Sequence, residues 1–148
     1  MIKSNVAILW DWQNVRASAK EQIEKLISFA QTIGTVSYKN VYAHWRCEKA
    51  KWEELFDNLS FRCSNAPASK SNKNNADRKL IADCEQFIVN DPSIKTVILV
   101  SEDGDFKTLV RKLKQAGKEV IVIAQCLEKA NRKLVQLASK AYRLNQLP

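Results

Sequence analysis

Residues 97–106 have the sequence VILVSEDGDF, in which an unbroken apolar run is followed by a serine and three acids. A short apolar run without alternation predicts a strand that is covered on both faces, as in a parallel sheet. In open α/β sheets, ligands bind outside the carboxyl ends of the strands. The stretch therefore predicts that Asp103 and Asp105 lie at a ligand-binding edge of a sheet.

A second apolar run near the start of the chain also ends in an acid. Residues 6–10 have the sequence VAILW, and Asp11 follows directly. If the two strands are parallel neighbours, their carboxyl ends meet at one edge and bring Asp11 close to Asp103 and Asp105. Converging carboxylates of this kind bind divalent cations.

Strand and helix patterns alternate along the whole chain. Helical spacing of apolar residues appears over residues 18–32, 48–58, 76–89, 104–116 and 127–139, and strand patterns over 6–10, 35–46, 60–63, 96–100, 120–124 and 142–144. The alternation predicts an α/β fold, a three-layer doubly wound sandwich with a mostly parallel central sheet. We expect residues 1–148 to form a single domain, because no linker interrupts the pattern and the length suits one core. Residues 65–75 are polar without periodicity and predict a loop.

The composition favours a polyanionic partner. The chain has 24 Lys plus Arg against 16 Asp plus Glu, a net charge of +8. Such an excess favours nucleic acid through counterion release, although a generally basic soluble surface would have the same composition.

Several classes of site are disfavoured by the composition. The single histidine and four cysteines without CxxC spacing argue against a zinc finger and a histidine-based acid/base pair. The cysteines are expected to be reduced and mostly buried. No apolar segment approaches the ~20 residues that span a bilayer, so we expect no membrane association and a cytoplasmic protein.

Each acid also has an explanation that needs no metal. Asp103 or Ser101 can cap the helix that begins near residue 104, and Asp77 can be a favourable acid in the first turn of the next upstream helix. Each effect is worth about 1 kcal/mol or less. Two carboxylates about 4 Å apart repel by roughly 4 kcal/mol at an effective dielectric constant of ~20, so a converged cluster requires a cation or protonation. An all-oxygen cluster with almost no imidazole favours Mg²⁺ or Mn²⁺.

Four motifs carry a resemblance to a known family: ILWDWQN at 8–14, NAD at 75–77, SEDGDF at 101–106, and Leu109-Val110 followed by Gly117. With them the chain resembles, over nearly its whole length, an NYN domain of the PIN-like nuclease superfamily. The resemblance implies a PIN-like, Rossmann-like fold with a metal-dependent ribonuclease site. It implies that the catalytic and metal-binding acids are Asp11, Asp77, Asp103 and Asp105, and that Asn14 and Ser101 support them.

One residue departs from the family pattern. The family commonly has glycine after the first aspartate, where this chain has Trp12. The indole ring could stack on an RNA base, restrict substrate entry, or simply belong to the core.

The predicted chemistry is hydrolysis of RNA phosphodiester bonds by a metal-activated water, because no nucleophilic triad is present. We assign Asp11, Asp103 and Asp105 as principal ligands, with Asp77 completing a second ion's shell or holding the water. The predicted RNA contacts are Lys70, Lys73, Arg78, Lys79, Lys107, Arg111 and Trp12.

The sequence thus predicts a metal-dependent ribonuclease, with endonucleolytic cleavage of single-stranded or structured RNA. One alternative is an RNA-binding or partner-recruiting NYN module with little or no turnover. A phosphoryl-transfer domain, such as a response-regulator receiver or a haloacid-dehalogenase-type phosphatase, fits less well. Such a phosphatase needs Asp-x-Asp at the first strand, where residues 11–13 are DWQ. The oligomeric state stays open, with a homodimer as an alternative to the monomer.

Overall fold

A computed structural model of the chain describes residues 4–66 and 75–148. Within these ranges it has six strands and five α-helices, in alternation: β1 (Asn5–Asp11), α1 (Lys20–Ile33), β2 (Thr35–Ala43), α2 (Ala50–Asn58), β3 (Arg62–Asn65), α3 (Asn75–Phe87), β4 (Ile94–Val100), α4 (Lys107–Gln115), β5 (Glu119–Ala124), α5 (Arg132–Leu137) and β6 (Lys140–Arg143). Short 3₁₀ turns lie at Trp45–Cys47, Gly104–Phe106 and Leu144–Gln146. None of the helices in the described ranges is long and apolar enough to cross a membrane.

All six strands are parallel, in the order β3-β2-β1-β4-β5-β6. The predicted doubly wound α/β fold is therefore confirmed. The chain winds outward in one direction from β1 and in the other from β4, so these two neighbours form the topological switch point. Trp10 is in register with Val100, so the residues that follow, Asp11 and Ser101, leave the sheet side by side.

The sheet is covered on both faces, which explains its continuous apolar runs. Val6, Ile8 and Trp10 point to the layer that contains α1 and α2. Ala7 and Leu9 point to the opposite layer, which contains α3, α4 and α5. The side chains that these helices bury include Ile23, Leu26, Phe56, Leu80, Cys84, Leu109, Leu113 and Leu134.

Some elements differ from the sequence-based expectation. The helix predicted over 127–139 is only α5, because residues 126–130 form a turn and the Asn131 side chain caps the helix by accepting the Leu134 N–H at 3.1 Å. The edge strand begins at Arg62 instead of residue 60, since Ser60 has a φ of 65° in the left-handed region that cannot continue a strand. Of the four cysteines, which are unpaired, only Cys84 is fully buried, so the expectation of mostly buried thiols was wrong.

Candidate metal centre

A buried serine joins the ends of β1 and β4. The Ser101 hydroxyl lies 3.2 Å from Asp11 Oδ2 and 3.1 Å from Asn14 Oδ1, and its single proton can serve one of them at a time. Asn14 Oδ1 also accepts the backbone N–H of Glu102, and Ser101 Oγ accepts the N–H of Asp103 at 3.1 Å. The residues after β1 are thus bonded directly to the loop after β4.

Three carboxylates from three different elements meet at this edge. Asp11 ends β1, Asp103 follows β4, and Asp77 comes from the first turn of α3. One oxygen from each lies within 4.8 Å of the others. They line a cavity of about 170 Å³, together with Gln13, Asn14, His44 and Ala76.

Burial and mutual repulsion raise the pKa of two of these acids toward neutrality. Burial raises the pKa of Asp11 from 3.8 to about 7, and the charge of Asp103 raises it further. The hydrogen bond from Ser101 and the charge of Arg16 lower this pKa but only partly offset the rise. Burial, followed by the charges of Asp11 and Asp103, raises the pKa of Asp77 from 3.8 to about 7. A divalent cation would relieve this repulsion, and three carboxylate oxygens are the ligands that Mg²⁺ and Mn²⁺ prefer.

Asp105 lies outside this group of three. Its carboxylate is exposed, while its backbone N–H donates to Asp103 Oδ1 at 2.9 Å. Asp103 therefore caps the 3₁₀ turn with one oxygen and also faces the cluster, so the capping explanation and the metal explanation both apply to it. The charge of Asp105 still contributes to the raised pKa of Asp77.

Gly104 lets the acidic loop approach the start of α5. A Cβ atom at this position would lie 2.4 Å from Asn131 Nδ2 and 2.7 Å from Asn131 Cγ. The same loop is held through Glu102, whose carbonyl accepts the Asn131 N–H at 3.1 Å and whose Oε2 accepts the Cys126 N–H at 3.0 Å. Sequence reasoning missed Glu102 and Asn131; the lone glycine among the acids was the available signal of a close approach.

The NYN domain family matches residues 5–145, nearly the whole chain. The chain belongs to the NYN domain family. NYN domains are part of the PIN-like superfamily, whose members are generally nucleases and typically use divalent metals. The resemblance read from the motifs is confirmed, and the aspartate cluster has the composition expected of a PIN-like site.

A solved structure with a high TM-score agrees with the fold. A protein of unknown function from Vibrio parahaemolyticus is 26% identical with a TM-score of 0.74, and the match covers 95% of this NYN domain and 93% of that chain. Two further matches are too weak to carry an inference. A putative oxidoreductase from Erwinia carotovora atroseptica is 17% identical with a TM-score of 0.43, and the match covers 95% of this chain and 35% of that one. A homoserine dehydrogenase from S. aureus is 14% identical with a TM-score of 0.48, and the match covers 97% of this chain and 33% of that one. No match was found among curated proteins.

Trp12 is part of the core of this NYN domain. Its side chain is fully buried, packs edge-to-face on Phe56 at 5.1 Å between ring centroids, and donates from Nε1 to Glu48 Oε1 at 2.6 Å. Trp10 and Trp12 share a face because side chains along a strand alternate, and α2 covers that face. A fully buried ring cannot stack on a base, so the prediction that Trp12 contacts RNA was wrong, and the alternative that it belongs to the core holds.

Two further residues near the carboxylates were missed. Arg16 makes a paired contact with Glu48, through Nε to Oε1 at 3.1 Å and Nη2 to Oε2 at 3.2 Å, and its charge acts on Asp11. His44 lines the cavity, and its Nδ1 is bonded to the carbonyl of Ala66, which places the ring proton on Nδ1. A lone histidine carries no recognisable spacing, so the sequence offered no signal for it.

The predicted RNA-binding residues lie on helices that start at the site. Arg78 and Lys79 are exposed in the first turns of α3, where Lys79 Nζ donates to the Asn65 carbonyl at 3.1 Å. Lys107 is half-buried at the start of α4, and Arg111 is exposed one turn later. None of the four is among the residues lining the cavity. Lys70 and Lys73, with most of the loop predicted over 65–75, lie outside the described residues.

Proposed function

We propose that this NYN domain is a metal-dependent ribonuclease that cuts RNA internally by hydrolysing phosphodiester bonds. The observation that carries the proposal is the meeting of Asp11, Asp77 and Asp103 within 4.8 Å at the switch point of the sheet. That position is where ligands bind in open α/β sheets. Uncompensated carboxylates at such separations cost more than capping returns, which favours a cation site over three independent structural roles.

The donor set suits Mg²⁺ or Mn²⁺, with Asp11, Asp77 and Asp103 as ligands. When bound, such a cation lowers the pKa of a coordinated water and neutralises charge on the leaving oxygen. Ser101 and Asn14 hold the ends of β1 and β4 together, so two of the three ligands are fixed before the cation arrives. We assign Asp105, the exposed fourth acid, to positioning a water or a second ion beside the cluster.

Water is the proposed nucleophile. The chain has one histidine, so no serine–histidine or cysteine–histidine pair other than with His44 can form. The Ser101 side chain is fully buried and bonded within the site, which leaves it no approach to a phosphorus atom. We therefore propose hydrolysis by a metal-activated water, and the RNA products distinguish it from attack by the RNA's own 2′-hydroxyl.

The charge of the chain supports a nucleic-acid substrate. A net charge of +8 favours association with phosphates even though the site itself is acidic. We propose that Arg78, Lys79, Lys107 and Arg111 contact the RNA backbone on either side of the carboxylates, with Lys70 and Lys73 adding to them. The alternative, an NYN module with little turnover, rested on Trp12 obstructing the site, and the burial of that ring removes this support.

A circular single-stranded RNA tests the proposal, because only internal cleavage can open it. We expect the protein to linearise this RNA with Mg²⁺ or Mn²⁺, and we expect cleavage to stop when a chelator is added. The products should lack 2′,3′-cyclic phosphates, since water and not the 2′-hydroxyl attacks. Asp11→Asn should abolish cleavage, whereas Asp57→Asn, which removes an exposed charge on α2, should not. No cleavage with either metal, or undiminished cleavage by Asp11→Asn, would contradict the proposal.

A further inference from the structure

A second cavity opens on the α1 side of the same sheet edge. It has a volume of about 190 Å³ and is lined by Arg16, Ser18, Gln22, Gln125, Leu144 and Asn145. These residues follow β1, β5 and β6 or begin α1, so the cavity is built from the carboxyl ends of the strands, as the metal centre is. An adjoining cavity of about 200 Å³ shares Gln22, Leu144 and Asn145 and extends the groove to Lys25. We call the two cavities together the amide groove.

The amide groove lies next to the metal centre. Arg16, which lines the groove, is close enough for its charge to lower the pKa of Asp11. Gln125 Nε2 donates to the Arg16 carbonyl at 3.4 Å, and the next residue, Cys126, is bonded through its N–H to Glu102 beside Asp103. A strand lying across the carboxylates can therefore reach the groove within a short length of chain.

The groove is close to neutral, unlike the basic helices on the other side of the site. Arg16 is paired with Glu48, and Lys25 shares its part of the groove with Glu21 one turn earlier on α1. Such balanced charges give little attraction for a phosphate. Recognition in this groove must come from its neutral polar groups.

Those neutral groups are carboxamides with unused hydrogen-bonding capacity. Gln22 Oε1 accepts the Ser18 N–H at 2.8 Å, and Gln125 Nε2 donates to the Arg16 carbonyl. Gln22 Nε2 and Gln125 Oε1 therefore have no partner among the described residues. In residues 4–66 and 75–148, no hydrogen bond engages the Asn145 side chain. Carboxamides pair with the edges of nucleobases, and Leu144 adds an apolar residue to the lining.

We propose that the amide groove binds one unstacked base of the RNA strand that is cut at the metal centre, and so sets base preference beside the cut. A duplex keeps its bases paired and stacked, so a base that enters a cavity of about 190 Å³ must come from an unpaired strand, and we propose single-stranded RNA as the substrate class. This inference rests on the proposed function for the identity of the strand. Asn145 and Gln125 contact the base edge, while the basic residues of α3 and α4 contact the backbone.

Binding measured without cleavage tests the groove. Fluorescence anisotropy in the presence of a chelator compares an eight-nucleotide single-stranded RNA with an oligonucleotide of the same length in which every base is replaced by an abasic site. Asn145→Ala and Gln125→Ala should each weaken binding of the normal RNA about 2- to 10-fold, the value of one hydrogen bond. Binding of the abasic strand should not change, because the lost contact is to a base.

Gln115→Ala is the matched control, since this exposed amide ends α4 at the opposite edge of the sheet. It should bind both strands as the parent does.

Unchanged binding of normal RNA by both groove variants, or an equal loss on both strands, overturns the groove assignment. A parent protein that cleaves RNA while the groove variants behave normally overturns only the groove. Base-dependent losses without any metal-dependent cleavage overturn only the ribonuclease. A parent that binds no RNA overturns both.

Discussion

Ser101 Oγ lies 3.2 Å from Asp11 Oδ2 and joins two strand ends that are 90 residues apart in the chain. Because β1 and β4 are parallel neighbours, this contact and those of Asn14 with Ser101 and Glu102 hold Asp11 beside the loop that contains Asp103. The third acid, Asp77, arrives from a helix on one face of the sheet. The candidate metal centre is therefore a product of the strand order, in which the winding direction reverses between β1 and β4.

Asp103→Asn should separate metal binding from capping. Asparagine keeps Oδ1, which accepts the Asp105 N–H, but it removes a charge that raises the pKa of Asp11 and Asp77. Loss of a residue that only supports a metal ligand lowers metal affinity or activity about 10- to 100-fold. We therefore expect loss of a ligand to slow Mn²⁺-dependent cleavage by at least about 100-fold. In urea unfolding without metal, the variant should be as stable as the parent or more so.

Asp103→Ala provides the comparison, because alanine also loses the cap and should cost about 1 kcal/mol of stability. If Asp103→Asn were clearly less stable and still cleaved RNA at the parental rate, Asp103 would be a capping residue only.

The stability of the metal-free protein should fall as the pH rises from about 4 to about 7 and level off above that. The pKa of Asp11 and of Asp77 is about 7 in the folded protein and 3.8 for an unperturbed carboxyl. Between these values the folded state binds more protons than the unfolded state, so these groups stabilise the fold at acidic pH and this contribution is lost as the pH approaches and passes about 7. Urea midpoints measured in a chelator from about pH 5 to pH 8 check the direction.

Two comparisons make the pH result specific to the cluster. Asp77→Asn should flatten the decline, and saturating Mn²⁺ should counteract it at the alkaline end by binding the deprotonated carboxylates. A urea midpoint that rises from pH 5 to pH 8 with the same slope in the parent and in Asp77→Asn would contradict the raised pKa of the two carboxyls.

Gly104→Ala should damage both stability and activity. The added Cβ would meet Asn131, whose side chain is held by the N–H of Leu134, so the acidic loop has to shift at a cost of about 1 to 3 kcal/mol. Gly117→Ala is the control: its φ of +83° makes alanine unfavourable by about 1 to 2 kcal/mol, yet nothing lies within 4 Å of the added atom. Both variants should lower the urea midpoint, but only Gly104→Ala should slow cleavage. Parental cleavage by Gly104→Ala would show that the loop position is not critical.

Trp12→Phe should weaken the fold and leave RNA binding unchanged. The substitution removes the hydrogen bond to Glu48 and leaves unfilled volume beside Phe56, which we expect to cost about 1 to 3 kcal/mol. Anisotropy with single-stranded RNA should give an affinity within about twofold of the parent. A tenfold loss of affinity at unchanged stability would instead place the indole ring in contact with RNA.

The sheet and two of its acids could be predicted because the signals are local. Apolar runs that end in Asp11 and at Ser101 mark buried strands and their carboxyl ends, and parallel neighbours bring those ends together. The same reasoning ranked Asp105 above Asp77 as a ligand. The family resemblance also named Asp77 as a metal-binding acid, but nothing in the sequence showed that the 3₁₀ turn uses Asp103 Oδ1 as its cap and leaves Asp105 exposed.

Contacts between distant segments account for the other differences. Trp10 in β1 and Trp12 directly after it lie on one face, but only the docking of α2 decides that this face is closed. The pairing of Arg16 with Glu48 joins residues 32 positions apart, and no spacing rule predicts it. Likewise α5 begins late because Asn131 caps it, whereas the apolar pattern starts earlier in the chain.

The most direct test of the central claim is the rate of Mn²⁺-dependent RNA cleavage in Asp77→Asn, since Asp77 is the ligand that only the folded arrangement brings to the strand ends. Glu85→Gln is the matched control, because it removes an exposed negative charge from the same helix. We predict that the parent and Glu85→Gln cleave single-stranded RNA at similar rates with Mn²⁺ and not with a chelator. Asp77→Asn should be slower by at least about 100-fold while remaining folded. A folded Asp77→Asn protein that cleaves at the parental rate would contradict the three-carboxylate centre.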